Sequence, residues 1–286
     1  MLRCSQKGQK CLPNFLTKPL KEDLAFTNNY QQRWSVLKKI NRRGKSPLFL
    51  CLGGDMKPEI IVALDFSDFD DGKNIVETLD KEITFYKIGL EAYLSIGEKL
   101  IDYLVSKNKK VFLDLKFHDI PNTVKKAALA AAKKGVFMFN LHIQGGYDMI
   151  KETVAAVKSI NSDVLIIGVT LLTSLDENYL NQYNINFNNS ADYVLHLAKI
   201  GREAGLDGVV SSAKETPLIK KHLGEEFLTI TPGIRLATNN IDDQKRVVTP
   251  KDAKKMGTDF MVIGRPITQS QDPKYTVKLI KEELNG

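Results

Sequence analysis

From residue 58 onward, short apolar runs alternate with longer amphipathic stretches. That rhythm reads as repeated β/α units around a parallel sheet, with strands buried on both faces and helices laid over them. The predicted strands are Ile60–Asp65, Thr84–Ile88, Lys110–Leu115, Val136–Leu141, Val164–Thr170, Gly208–Ser211, Phe227–Thr231 and Phe260–Ile263. Helices are expected between them, for example over Asn122–Lys134 and Tyr147–Ile160. Eight such units in about 230 residues have the size of a (β/α)8 TIM barrel. A doubly wound sheet is the alternative, but it usually carries a glycine-rich phosphate loop after its first strand. Here Asp65-Phe66-Ser67 stands at that point.

The polar residues that interrupt the apolar runs fall at one end of them. Asp65 closes the first strand, Lys87 stands near the end of the second, and Asp114 and Lys116 close the third. Thr173-Ser174 follow the fifth, Pro232-Gly233-Ile234-Arg235 the seventh and Gly264-Arg265-Pro266-Ile267-Thr268 the eighth. Barrel enzymes assemble their sites from strand C-termini. A lone aspartate after a strand is more often a helix cap than a catalyst, but six such positions at the same end have no common structural explanation.

The third run is the most informative. Side chains alternate along a strand, so Val111, Leu113 and Leu115 share one face while Phe112, Asp114 and Lys116 share the other. One row then meets the surrounding helices and the other points into the barrel. An acid and an amine there are costly to desolvate unless paired. Asp119 follows three residues after Lys116, before Pro121, giving the order carboxylate, ammonium, carboxylate.

Charge separates the chain into two parts. Residues 1–55 hold eleven Lys/Arg and three Asp/Glu, a net of +8, which leaves −1 for residues 56–286. The overall charge of +7 is therefore not spread over the molecule and gives no general sign of a nucleic-acid partner. All three cysteines (Cys4, Cys11 and Cys51) and the single tryptophan, Trp34, also lie in the first part. Residues 56–286 can form neither disulfides nor a thiol-ligated metal site, which fits a reducing cytoplasm. No His/Asp/Glu spacing makes a persuasive metal site, and no apolar run approaches the length of a membrane span. His118 is expected to support loop geometry, His142 to be packed at the end of the fourth strand or behind the site, and His196 and His222 to lie near the surface on helices. Asn181–Asn189 reads as a polar surface excursion.

The basic extension 1–55 has three readings: a targeting or disordered segment lacking the Arg/Ser pattern of transit peptides, a nucleic-acid-binding tail, or residues upstream of a start at Met56. The last is favoured, because codons for Gly53-Gly54-Asp55 can form a purine run like a ribosome-binding site. The expected catalytic domain is 56–286.

Asp114 to Thr123, D-L-K-F-H-D-I-P-N-T, resembles the signature of the orotidine 5′-phosphate decarboxylase family. Thr231–Arg235 followed by Asp243-Gln244-Lys245-Arg246 is similar to its phosphate-gripping loop, and Gly264–Thr268 to its final motif. The likeness runs from Lys57 to Gly286 with the motifs in order. It implies a homodimeric TIM-barrel lyase of UMP biosynthesis that converts orotidine 5′-phosphate to UMP and CO2 without metal or organic cofactor. It implies Lys116 as stabiliser and proton donor at C6, Asp114 beside the departing carboxylate, and Lys87 in an alternating charge network that touches the ribose. Asp65 would bind ribose hydroxyls; Arg235, Gln244, Gly264 and Arg265 the phosphate. Asp119 and Thr123 would reach the neighbouring subunit's site. Either Thr173 or Ser174 would contact the pyrimidine. The rivals are metal-dependent sugar-phosphate enzymes with the same acid-lysine-acid core but without the H-D-I-P-N-T continuation, and a non-catalytic nucleotide-binding barrel.

Overall fold

A computed structural model describes residues 57–236 and 248–286. Eight parallel strands close into a barrel in sequence order, with β8 returning to pair with β1. They are β1 Glu59–Ala63, β2 Phe85–Ile88, β3 Lys110–Phe117, β4 Met138–His142, β5 Leu165–Val169, β6 Gly208–Val210, β7 Leu228–Thr231 and β8 Phe260–Ile263. All eight expected strands are present, with no end displaced by more than two residues. The (β/α)8 expectation holds, and the doubly wound alternative falls because the sheet has no open edge. The basic extension 1–55 and Gln244 lie outside the described residues.

Around the strands run α1 Phe69–Thr78, α2 Leu90–Ile96, α3 Glu98–Ser106, α4 Pro121–Lys133, α5 Tyr147–Ile160, α6 Glu177–Gln182, α7 Ser190–Glu203, α8 Thr216–Leu223, α9 Pro250–Lys255, α10 Arg265–Thr268 and α11 Pro273–Asn285. Helix α4 shows why the sequence selects these elements. Pro121 supplies the preset φ of a first helical turn and has no N–H to leave unpaired. Val124, Ala128, Ala131 and Ala132 then form one buried face at helical spacing. Helix α5 buries Met149, Ile150, Thr153 and Val157 in the same way, and the two helices pack side by side.

The strand alternation sorts the core into two layers. Tyr86, Ile88, Val111, Leu113, Phe139 and Leu141 join the cluster that faces the helices. Their sequence neighbours Phe85, Phe112 and Met138 are equally buried but stand outside that cluster, in the barrel interior. Phe85 meets Phe137 and Phe260 edge-on, with ring centroids 5.3 and 5.5 Å apart, so aromatic rings fill the lower barrel. Two residues further along the same inward rows come Lys87, Asp114 and Asn140. The interior therefore changes from apolar to charged as the strands approach their C-terminal ends.

Candidate active site

Four charged side chains from the first three strands form one chain of contacts. Asp65, two residues past β1, accepts a hydrogen bond from Lys87 Nζ at 2.9 Å. Lys87 lies 3.5 Å from Asp114 Oδ2. The other oxygen of Asp114 accepts from Lys116 Nζ at 2.7 Å. The signs alternate along the row, so each desolvated charge has an opposite neighbour. Burial by itself would lower the pKa of Lys87, but attraction from Asp114 and Asp65, with their hydrogen bonds, outweighs it and the net direction is upward.

The close approach depends on Gly89. A methyl group at that position would stand 2.8 Å from Lys87 Nζ and 3.2 Å from Asp65 Oδ1. Gly264, after β8, also adjoins Asp65: a Cβ there would lie 3.7 Å from Oδ2.

Strand β3 is not regular where the sequence pattern treats it so. Leu113 pairs with Phe139, and the next paired residues are Phe117 and Leu141. Asp114, Leu115 and Lys116 thus stand opposite Asn140 alone, a bulge that breaks the simple alternation. Lys116 adopts φ +51°, in the left-handed region. For a residue with a β-carbon that conformation costs about 1–2 kcal/mol, and such strain concentrates at functional sites. The N–H of Lys116, taken out of the strand ladder by the bulge, donates to Asn140 Oδ1 at 2.8 Å.

Asn140 is the site residue that sequence reasoning missed. It is fully buried, and its Nδ2 donates to Asp114 Oδ1 at 2.7 Å. A signal was available: it is a single amide in the apolar run Val136–Leu141, on the inward row with Met138. Beyond it, the rings of His118 and His142 lie 5.3 Å apart. Burial first, then the nearby His118 and Lys116, hold the His142 imidazole below its usual range.

The other predicted residues that the structure describes follow strand ends on the same side of the barrel. Asp119 and Thr123 are exposed, and the Asp119 carboxylate accepts from its neighbour's N–H, Ile120, at 2.6 Å. Among the described residues no ion pair joins Asp119 to Lys116, and Asp114 is the one acid that pairs with the lysine. Thr173 and Ser174 occupy the corner of a turn closed by Leu175 N–H to Leu172 O at 2.9 Å, and both remain eligible. Gly233, with φ +82°, turns the chain after β7. Arg235 follows, buried, its N–H bonded to Val248 O at 3.0 Å. Arg265 is exposed in the first turn of α10. Among the described residues, no cluster of three or more His, Cys, Asp or Glu is placed to hold a metal ion. No described helix is long and apolar enough to cross a membrane.

Comparison with known proteins identifies the family. A protein of Legionella pneumophila (strain Lens) named orotidine 5′-phosphate decarboxylase is 48% identical over 230 residues, spanning 80% of this chain and 100% of the relative. One of that name from Streptococcus mutans is 43% identical over 231 residues, 80% of this chain and 99% of the relative. The crystal structure of orotidine 5′-phosphate decarboxylase from Lactobacillus acidophilus superposes with a TM-score of 0.70 at 37% identity, covering 80% of this chain and 100% of that one. Residues 58–280 match the family described as orotidine 5′-phosphate decarboxylase / HUMPS, and the chain belongs to that family.

Proposed function

We infer that the chain is a carboxy-lyase that converts orotidine 5′-phosphate to UMP and CO2, the final step of UMP synthesis, with Lys116 as its proton donor. The observation that carries this reading is the state of the Lys116 ammonium. It has three donors, and among the described residues one acceptor, Asp114, engages it. Its side chain is 31% exposed against 13% for Asp114, so it stands at the open side of the network.

The chemistry needs such a group. Loss of CO2 leaves an electron pair at C6 in a ring that delocalises it poorly. A positioned ammonium stabilises that carbanion as it forms and then transfers a proton to C6. The C6–carboxylate bond breaks, the pair stays on carbon, and the proton from Nζ takes the vacated position. Asp114 orients Lys116 and stands where the departing carboxylate would lie. Lys87 links Asp114 to Asp65, and both are positioned for the ribose. Arg235, Gln244 and Arg265, with the backbone at Gly264, are the residues for the phosphate. Their binding energy, spent far from C6, helps exclude water and align the ring. Thr173 or Ser174 supplies the pyrimidine contact. These groups require no metal or organic cofactor, and the proposed setting is the cytoplasm.

The active form is a homodimer with shared sites. Asp119 is an exposed carboxylate three residues from Lys116 that makes no ion pair among the described residues. Around it, large apolar side chains are exposed in the segments that follow four consecutive strands: Leu90 (54%) and Leu94 (81%) after β2, Ile120 (67%) after β3, Tyr147 (41%) after β4 and Leu172 (37%) after β5. Apolar exposure of that extent at one end of a barrel favours a partner surface. Asp119 and Thr123 would complete the neighbouring site.

The test follows the ultraviolet change as substrate becomes UMP, with a chelator present. Wild-type turnover is expected, and none in folded protein would refute the reading. Heterodimers of Lys116→Ala with Asp119→Ala subunits should regain activity that neither homodimer shows. Absence of recovery in confirmed heterodimers would refute shared sites.

A further inference from the structure

We propose that Asn140 is a positioning residue for the reaction, holding Lys116 and Asp114 in register through a single amide. The bulge leaves three β3 residues opposite Asn140, and the amide fills the break in the ladder. Its Oδ1 takes the Lys116 N–H at 2.8 Å. Its Nδ2 donates at 2.7 Å to the Asp114 oxygen that also accepts from Lys116 Nζ. Only this orientation of the amide serves both partners, since one presents a donor and the other an acceptor. Asn140 is fully buried, so no solvent can substitute for either bond.

The inference rests on the reading of Lys116 as the proton donor. Asn140 touches neither the substrate nor the reacting atoms; it acts through the residues that do. Lys116 holds φ +51°, a conformation that an L-residue leaves unless it is held. The bond to its N–H is the hold. Releasing it lets the lysine backbone relax toward ordinary strand angles, which moves the root of the side chain and with it Nζ. The second bond fixes which Asp114 oxygen faces Lys116 and leaves the other for Lys87 at 3.5 Å. One side chain therefore sets both the position of the ammonium and the branching of the charge network.

Two replacements test this. Asn140→Leu keeps the volume and removes both bonds. Its kcat per folded molecule is expected to fall about a hundredfold, as displacement of a reacting group by about 1 Å does, while KM changes little. Asn140→Asp keeps the shape and can still accept from Lys116, but donates to Asp114 only when its new carboxyl is protonated. Its activity relative to wild type should therefore recover as pH falls. Lys116, Asp114 and, through Asp114, Lys87 are the charged groups near that carboxyl. His142 lies two residues along β4, and the β5 residue opposite is the apolar Ile167.

A merely structural role would lower the unfolding midpoint and leave kcat and its pH profile unchanged. Wild-type kcat in folded Asn140→Leu would overturn the proposal, as would a loss in Asn140→Asp that persists at low pH. Should Asn140→Leu fail to fold, the near-isosteric Asn140→Asp decides. A wild-type chain inactive on orotidine 5′-phosphate would refute the functional reading instead. Hydrogen exchange then still judges the clamp: the Lys116 amide should be protected in wild type, stay protected in Asn140→Asp, which keeps an acceptor, and exchange fast in folded Asn140→Leu. An equally protected amide in folded Asn140→Leu would overturn it.

Discussion

The barrel carries lysine–aspartate pairs at both of its ends, and they are built differently. At the end where strands begin, Lys220 of α8 gives its three donors to Glu225 O at 2.8 Å, Phe227 O at 3.1 Å and Asp259 Oδ2 at 2.7 Å. That carboxylate also takes the N–H and the hydroxyl of Thr229, at 2.7 and 3.0 Å. Lys158 of α5 repeats the design on Asp207, whose Oδ2 takes the Ile166 N–H at 2.7 Å, and on Val164 O at 2.8 Å. Each clip ties a helix end to the start of a neighbouring strand and leaves the ammonium nothing further to bind. At the opposite end Lys116 holds one acceptor, in a strained backbone, beside an open mouth. The ion pairs are of one chemical type, and the number of unspent donors separates the two uses. A saturated lysine fastens the fold, whereas an unsaturated one has donors left over, as the role proposed for Lys116 requires.

The largest expected effect lies at the unsaturated end. Lys116→Ala should lower turnover by about ten-thousandfold or more, the combined reach of proton donation and charge stabilisation, and leave the unfolding midpoint nearly unchanged. A residual rate close to wild type would break the comparison. The saturated end should show the reverse. Lys220→Met strands a buried carboxylate, with side-chain exposure of 5% for the lysine and 8% for Asp259. It should cost about 3–5 kcal/mol in urea unfolding, with kcat per folded molecule intact at low temperature. Lost activity with unchanged stability would contradict it.

A smaller effect is expected where the upper network is merely crowded. Gly89→Ala places a methyl against Lys87 Nζ and Asp65, so kcat should drop about tenfold through misalignment. Unchanged kinetics would mean that Lys87 can move without consequence. The least effect concerns pH. His142 has a folded pKa below its ordinary value, so the unfolded chain binds the proton more readily. Its share of stability is whole above about pH 6.5 and is lost as pH falls through the lower folded value. His142→Gln should flatten stability on the acid side, as followed by thermal unfolding at a series of pH values. An identical acid slope would remove the assignment.

Much of this was legible in the sequence because it depends on period and position. The two-residue alternation set Asp114 on the row opposite Leu113, and the recurrence of β/α units fixed the end of the barrel at which Lys87 and Asp114 sit. The irregularity in β3 was not legible. Nothing in D-L-K-F shows that three residues will face one on the next strand, because a bulge is a property of the pair of strands. For the same reason the sequence around Asn140 does not announce a gap for its amide to close. The local order Asp114, Lys116, Asp119 suggested a lysine between two acids, yet the turn before Pro121 carries Asp119 outward to the exposed apolar surface. Spacing along one chain gives the order of the charges, not the direction in which a turn sends them.

The most direct test is a crystal structure with UMP bound. The account predicts the nucleotide at the C-terminal mouth, with C6 within about 3 Å of Lys116 Nζ, the phosphate against Arg235 and Arg265, and the Asp119 of the partner subunit beside the ribose. A nucleotide whose C6 points away from Lys116, or a Lys116 whose remaining donors are taken up by its own chain, would contradict it.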